Sequence, residues 1–170
     1  LQVKSLSPLQ HKEFRLFVVA RFFLIMALRM LGTVAAYQVF QLTKKTFSIG
    51  LIGLSEFIPV FLLALYAGHV IDRSDKRTLL LRGILTYSLC VVALIVITSP
   101  WFSQHVQTST PQYFFYGVIF CTGAIRAFAG PTTNAIISQL VPRDILHFAA
   151  NISSSTWLAA SITGHASAGF

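Results

Sequence analysis

Residues 67–77 read "AGHVIDRSDKR". A long apolar run ends there at Gly68, and His69, Asp72, Arg73, Asp75, Lys76 and Arg77 follow in quick succession. Elsewhere charge is scarce. Of 170 residues, 55% are hydrophobic and 11% charged, and the mean hydropathy is +0.71. Soluble domains carry about a quarter charged residues, so the composition places this chain in lipid and the charged stretch at a membrane surface. The net charge of +8 does not indicate a nucleic-acid partner, because the basic residues form short clusters between apolar runs and no continuous stripe.

A bilayer core of about 30 Å needs about 20 mostly apolar helical residues. Five segments meet this, at 17–40, 49–70, 79–98, 113–140 and 148–170, and predict an all-α, polytopic membrane helix bundle. The first is too long for the core of a cleavable signal and has no small-residue cleavage site after it, so it is expected to remain as a helix. Pro59 and Pro131 fall inside spans, where neighbouring helices can satisfy the freed carbonyls. The fifth span reaches Phe170, which suggests a fragment of a longer protein.

Short loops rich in Lys and Arg face the cytoplasm. Lys4, Lys12 and Arg15 precede the first span, Arg73, Lys76 and Arg77 follow the second, and Arg143 follows the fourth, against Lys44 and Lys45 on the other side. The N-terminus is therefore expected inside and the 99–112 loop outside, with Trp101 and Tyr113 as aromatic anchors at the outer interface.

Arg21, Arg29, Glu56 and Arg126 lie within spans. Arg21 is near the inner end and reads as snorkelling to the interface. The others fall in the middle zone, where a charge costs about 2.5–3.5 kcal/mol on insertion scales and faces a partner or a cavity. Two readings stand: an ion pair that locks helices together, or a polar cavity with Glu56 as a proton-coupling carboxylate. Desolvation and a neighbouring Arg⁺ act on such a carboxylate in opposite senses. The third span has no charge beyond Arg82 near its end and reads as a lipid-facing helix. Cys90 and Cys121 sit in apolar segments without ligand spacing and read as buried hydrophobes. No metal cluster, cofactor motif or nucleophile constellation is visible, so an enzyme is not expected.

"GHVIDRSDKR" resembles the cytoplasmic signature between helices two and three of major facilitator superfamily transporters, with Gly68, Asp72, Arg73, Lys76 and Arg77 in its places and Asp75 where glycine is usual. Its "DRxDKR" form is similar to that of enterobactin-type exporters and macrolide efflux proteins. "RAFAG", 126–130, resembles the Arg-x-x-x-Gly motif of helix four, whose arginine is linked to proton coupling. "ITGHASAGF" resembles the Gly-Pro-x-x-x-Gly antiporter motif, with Gly164 and Gly169 in place and His165 at the proline position.

The resemblance implies helices one to five of an expected twelve, in two six-helix bundles, with the C-terminal bundle absent from this chain. It also implies proton-coupled export of a small amphiphile, a drug or siderophore, by alternating access across a bacterial inner membrane. Gly68 would let another helix approach closely, and Asp72 with the basic residues would latch the two halves together. A positive-inside signal is the simpler reading of Arg73, Lys76 and Arg77, but Asp72 contributes little to orientation. A receptor or scaffold that kept the fold and lost transport is the alternative, favoured by His165.

Overall fold

A backbone in lipid has no water to satisfy its N–H and C=O groups, so an apolar run must bond within itself as helix. The computed structural model describes residues 8–99 and 111–169. A 3₁₀ turn at Pro8–Gln10 leads into α1 (Lys12–Thr43), α2 (Thr46–Arg73), α3 (Lys76–Thr98) and α4 (Pro111–Leu140). A second 3₁₀ turn, Arg143–Ile145, then leads into α5 (Leu146–Ser167). No strand occurs among the described residues, and the all-α class expected from the sequence is the one observed. Trp101 and most of the 99–112 loop lie outside the described residues, while Tyr113 is exposed.

Helices α1 to α4 are long and apolar enough to cross a membrane. The last, α5, has 22 residues, but Asn151, its serines and threonines, and two histidines dilute its apolarity, and it is not one of the four. The helices also overrun most ends of the apolar runs. The stretch read as a loop around 71–77 is largely helical, since α2 continues through Arg73 and α3 begins at Lys76. Only Ser74 and Asp75 leave the helical conformation, with ψ of 153° and 115°. Between α1 and α2, Lys44 takes φ 53° and its N–H donates to the Phe40 carbonyl at 2.7 Å. This is the left-handed closure that glycine usually supplies.

The chain divides into two units. One takes α1 through Thr33 and the chain from Thr133 onward, and the other takes Val34–Thr132. In the first, Phe14, Ile137, Val141, Ile145 and Ala149 form a buried cluster, with Phe17, Val18 and Ile152 against it. The start of α1 is thereby packed against the end of α4 and the start of α5. Along α1 and α5, residue 21 meets 153, 29 meets 157 and 33 meets 165, so these two helices run parallel.

In the second unit α2 and α4 are also parallel: the Tyr116 hydroxyl donates to the Ser48 carbonyl at 3.4 Å, and further along Glu56 meets Arg126. By contrast, α3 is antiparallel to α4. Gly83 lies near Ile125, while Thr86, Leu89, Cys90 and Ala93 share a groove of about 580 Å³ with Tyr113, Gly117 and Cys121. Leu85, Leu89, Val92 and Ile95 on α3 are exposed, as a lipid-facing helix requires. Cys90 is buried, but Cys121 is exposed, contrary to the buried reading. Both cysteines line the groove, Cys90 from α3 and Cys121 from α4.

Candidate functional site

Glu56 lies near the middle of α2 and Arg126 near the middle of α4, and they form an ion pair. Their side chains are 31% and 29% exposed, so the pair is neither sealed in a core nor open on all sides. Gly123, one turn before Arg126, permits the helices to meet. A Cβ there would stand 2.7 Å from Pro59 Cγ and also against the Glu56 carbonyl. Pro59 itself is fully buried and lacks the N–H that would bond the carbonyl one turn back. In the sequence, charge inside an apolar span marks Glu56 and Arg126 but not Gly123. The signal was available in the small residue one turn before an intramembrane arginine.

Arg29, the third intramembrane candidate, sits in the other unit, and its guanidinium carbon lies 5.3 Å from the centroid of the Trp157 ring. That is within cation–π range. Arg21, read as snorkelling, donates to the Ser153 hydroxyl on α5, which is buried. The Thr33 hydroxyl donates to the Arg29 carbonyl at 3.0 Å and lies 2.8 Å from His165 Nδ1. With its proton used on that carbonyl, the Thr33 oxygen is left to accept, so Nδ1–H of His165 donates to it. At the expected proline position, then, α5 stays helical through Ser167 and is tied sideways to α1.

The helix-five glycines part company. A Cβ on Gly164 would stand 2.7 Å from the Met26 carbonyl and 2.8 Å from Arg29 Cβ, so α5 can lie against α1 only if residue 164 has no side chain. One on Gly169 would meet only Ala166 of its own turn, at 3.5 Å.

At the charged turn, a Cβ on Gly68 would meet nothing within 4 Å. No described element makes the close approach read for it. Asp72 is exposed in the last turn of α2, where the helix dipole disfavours an anion, and among the described residues it has no hydrogen-bond or ion-pair partner. Arg73 sits favourably at that helix end, while Lys76 and Arg77 open α3 against its dipole. Asp75, where glycine is usual, caps α3 by accepting from the Thr78 N–H at 2.8 Å and the Thr78 hydroxyl at 2.6 Å. The Thr78 hydrogen bonds, with the Arg77 charge adding a little, hold its carboxyl below the usual carboxylate range. An Asp three residues before Thr at the head of an apolar run is an N-cap pattern, so this role was also legible in sequence.

Charged groups thus pair in mid-helix, glycines permit close helix crossings, and a charged turn joins the second and third helices. Residues 3–170 match the family described as transmembrane secretion effector. The chain belongs to that family. It is thus an integral membrane protein of the major facilitator transporter type, and the match covers all five helices. No curated protein and no solved structure matches it.

Proposed function

We propose that this chain is part of a proton-driven exporter of a small amphiphilic molecule, of drug or siderophore class, in a bacterial cytoplasmic membrane. The observation that carries this reading is the Glu56–Arg126 pair. Glu56 is the one carboxylate of the sequence within an apolar span, since Glu13, Asp72, Asp75 and Asp144 lie at helix ends or in turns. A proton arriving at Glu56 neutralises it and dissolves its ion pair with Arg126. Proton occupancy and the packing of α2 on α4 are thereby linked, as alternating access around a midplane site requires.

The turn at 68–77 is the second moving part. Asp72, Arg73, Lys76 and Arg77 are placed at a membrane surface, and Asp72 stands where its own helix disfavours it. A partner in a second helical bundle explains that placement, with the latch closing in one conformation and opening in the other. The Lys and Arg distribution supports a cytoplasmic position for this turn and the N-terminus. A receptor that kept the fold without transport is the second reading, supported by the His165–Thr33 bond, which ties α5 to α1 where a proline would bend it.

The test is flux by the full-length protein in everted membrane vesicles, using radiolabelled lipophilic probes that carry carboxylate, sulfonate or ammonium groups. Uptake of at least one probe that collapses on adding a protonophore is expected. Uptake insensitive to the protonophore refutes proton coupling, and no uptake of any probe favours the receptor.

A further inference from the structure

We infer that the face where α1 meets α5 holds a binding site for the acidic group of an aromatic or amphiphilic anion, with Arg29 as its anchor and Trp157 as its platform. The inference rests on the transporter reading above and names the substrate class. It begins from a contrast between two arginines. Arg126 has a carboxylate beside it, but the unit containing Arg29 holds only Glu13 and Asp144 as acids. Glu13 is in the first turn of α1 and Asp144 in the 3₁₀ turn before α5, whereas Arg29 is about 25 Å along α1 from Lys12 and about 21 Å from Thr43 at 1.5 Å per residue.

Among the described residues the Arg29 guanidinium has no hydrogen-bond acceptor and no counter-ion; its contact is the Trp157 ring. An arginine at membrane depth with five unspent donors is costly unless something anionic comes to it. A guanidinium lying over an aromatic face keeps its edge donors available for a bidentate carboxylate, sulfonate or phosphate.

A second, independent feature lies on α5. Ser153, Trp157, Ser161 and His165 recur every fourth residue, so they share one face. Ser153 meets Arg21, Trp157 meets Arg29 and His165 meets Thr33. Ser161 is 8% exposed, yet its hydroxyl has no hydrogen-bond partner among the described residues. Serines in such helices usually bond their own backbone one turn back, as Thr156 and Thr163 do here. That open hydroxyl lies one turn along the same α5 face from Trp157, the residue that meets Arg29, and an unpaired buried polar group calls for a partner that a ligand's oxygen atoms would supply. The face carries cationic and neutral donors and no acid, which selects against ammonium groups. Its mid-helix depth also lies far from lipid headgroups, so the anion is a carried solute.

The experiment measures binding, without transport. The full-length protein is reconstituted in nanodiscs of phosphatidylcholine and titrated calorimetrically with naphthalene-2-sulfonate. Saturable binding is expected, unaffected by a hundredfold excess of naphthyl-trimethylammonium and by 20% phosphatidylglycerol in the disc. Arg29→Gln should weaken binding at least tenfold, Arg29→Lys by less, and Trp157→Leu several-fold. Equal competition by the ammonium probe, or wild-type binding by Arg29→Gln, overturns the site. Displacement by phosphatidylglycerol also overturns it, in favour of a lipid headgroup. If Arg29→Gln fails to assemble, the wild-type charge selectivity and Trp157→Leu still decide. Protonophore-insensitive flux with intact sulfonate selectivity would sink the coupling mechanism and leave the site standing; the reverse result would sink the site alone.

Discussion

Three glycines on α4 differ in what surrounds them, and alanine at each should separate their roles. At Gly123 a Cβ would stand 2.7 Å from Pro59 Cγ and press on the Glu56 carbonyl. Carbon atoms in good contact are about 3.5–4.0 Å apart, so α4 must retreat from α2 by about 1 Å. The main obstacle is backbone, which cannot rotate away, and overpacking of this kind costs about 1–3 kcal/mol. Alanine recovers about 1 kcal/mol of helix propensity over glycine. The net expectation for Gly123→Ala is a loss of about 0–2 kcal/mol by these two terms, with the Glu56–Arg126 pair loosened as the helices part. Gly117 and Gly130 have nothing within 4 Å of a Cβ, so alanine there should be neutral or stabilising by up to about 1 kcal/mol. Thermal unfolding of the full-length protein in detergent, followed by intrinsic fluorescence, reads the order. A Gly123→Ala variant as stable as Gly117→Ala would refute the close crossing of α2 and α4.

Gly164→Ala should behave like Gly123→Ala, because the Met26 carbonyl blocks its Cβ. The same melting assay checks it, and Gly169→Ala should be near neutral. Asp72→Asn removes an anion from a helix end that disfavours it, so stability should hold or rise while flux falls; wild-type flux would remove Asp72 from the latch. The Asp75 cap is strongest with its carboxylate ionised, and the folded protein holds that carboxyl below the usual range. Its contribution is therefore present above the ordinary carboxylate range and lost as pH falls through the lowered value. Hydrogen exchange at the Thr78 amide should speed up on that acid side in the wild type but show no such step in Asp75→Asn. An identical acid profile in both would contradict the cap.

Much of the fold was legible because hydropathy and length alone decide where a helix can cross lipid. Glu56 and Arg126 were legible for a related reason, since charge is rare and costly at that depth. Their pairing was not, because sequence gave three mid-membrane charges and no rule for choosing partners. Gly123 and Pro59 make that choice by letting α4 meet α2 at Glu56. The Arg21–Ser153 bond was not legible, because its two residues lie 132 positions apart in the chain. Gly68 was read from a motif as a contact point, but the described chain leaves it open. Cys121 was read as buried from its apolar neighbours, and apolar neighbours in a membrane helix face lipid as readily as core. The role of His165 depends on Thr33 spending its proton on Arg29, which no sequence pattern announces.

The most direct measurement is a charge exchange across the pair in the everted-vesicle flux assay. Glu56→Gln and Arg126→Gln should each abolish or uncouple protonophore-sensitive uptake. Exchanging the two residues, Glu56→Arg with Arg126→Glu, should restore part of it by remaking the pair in reverse. Normal coupled uptake in either single variant, at equal protein in the membrane, would contradict a coupling role for Glu56 and Arg126.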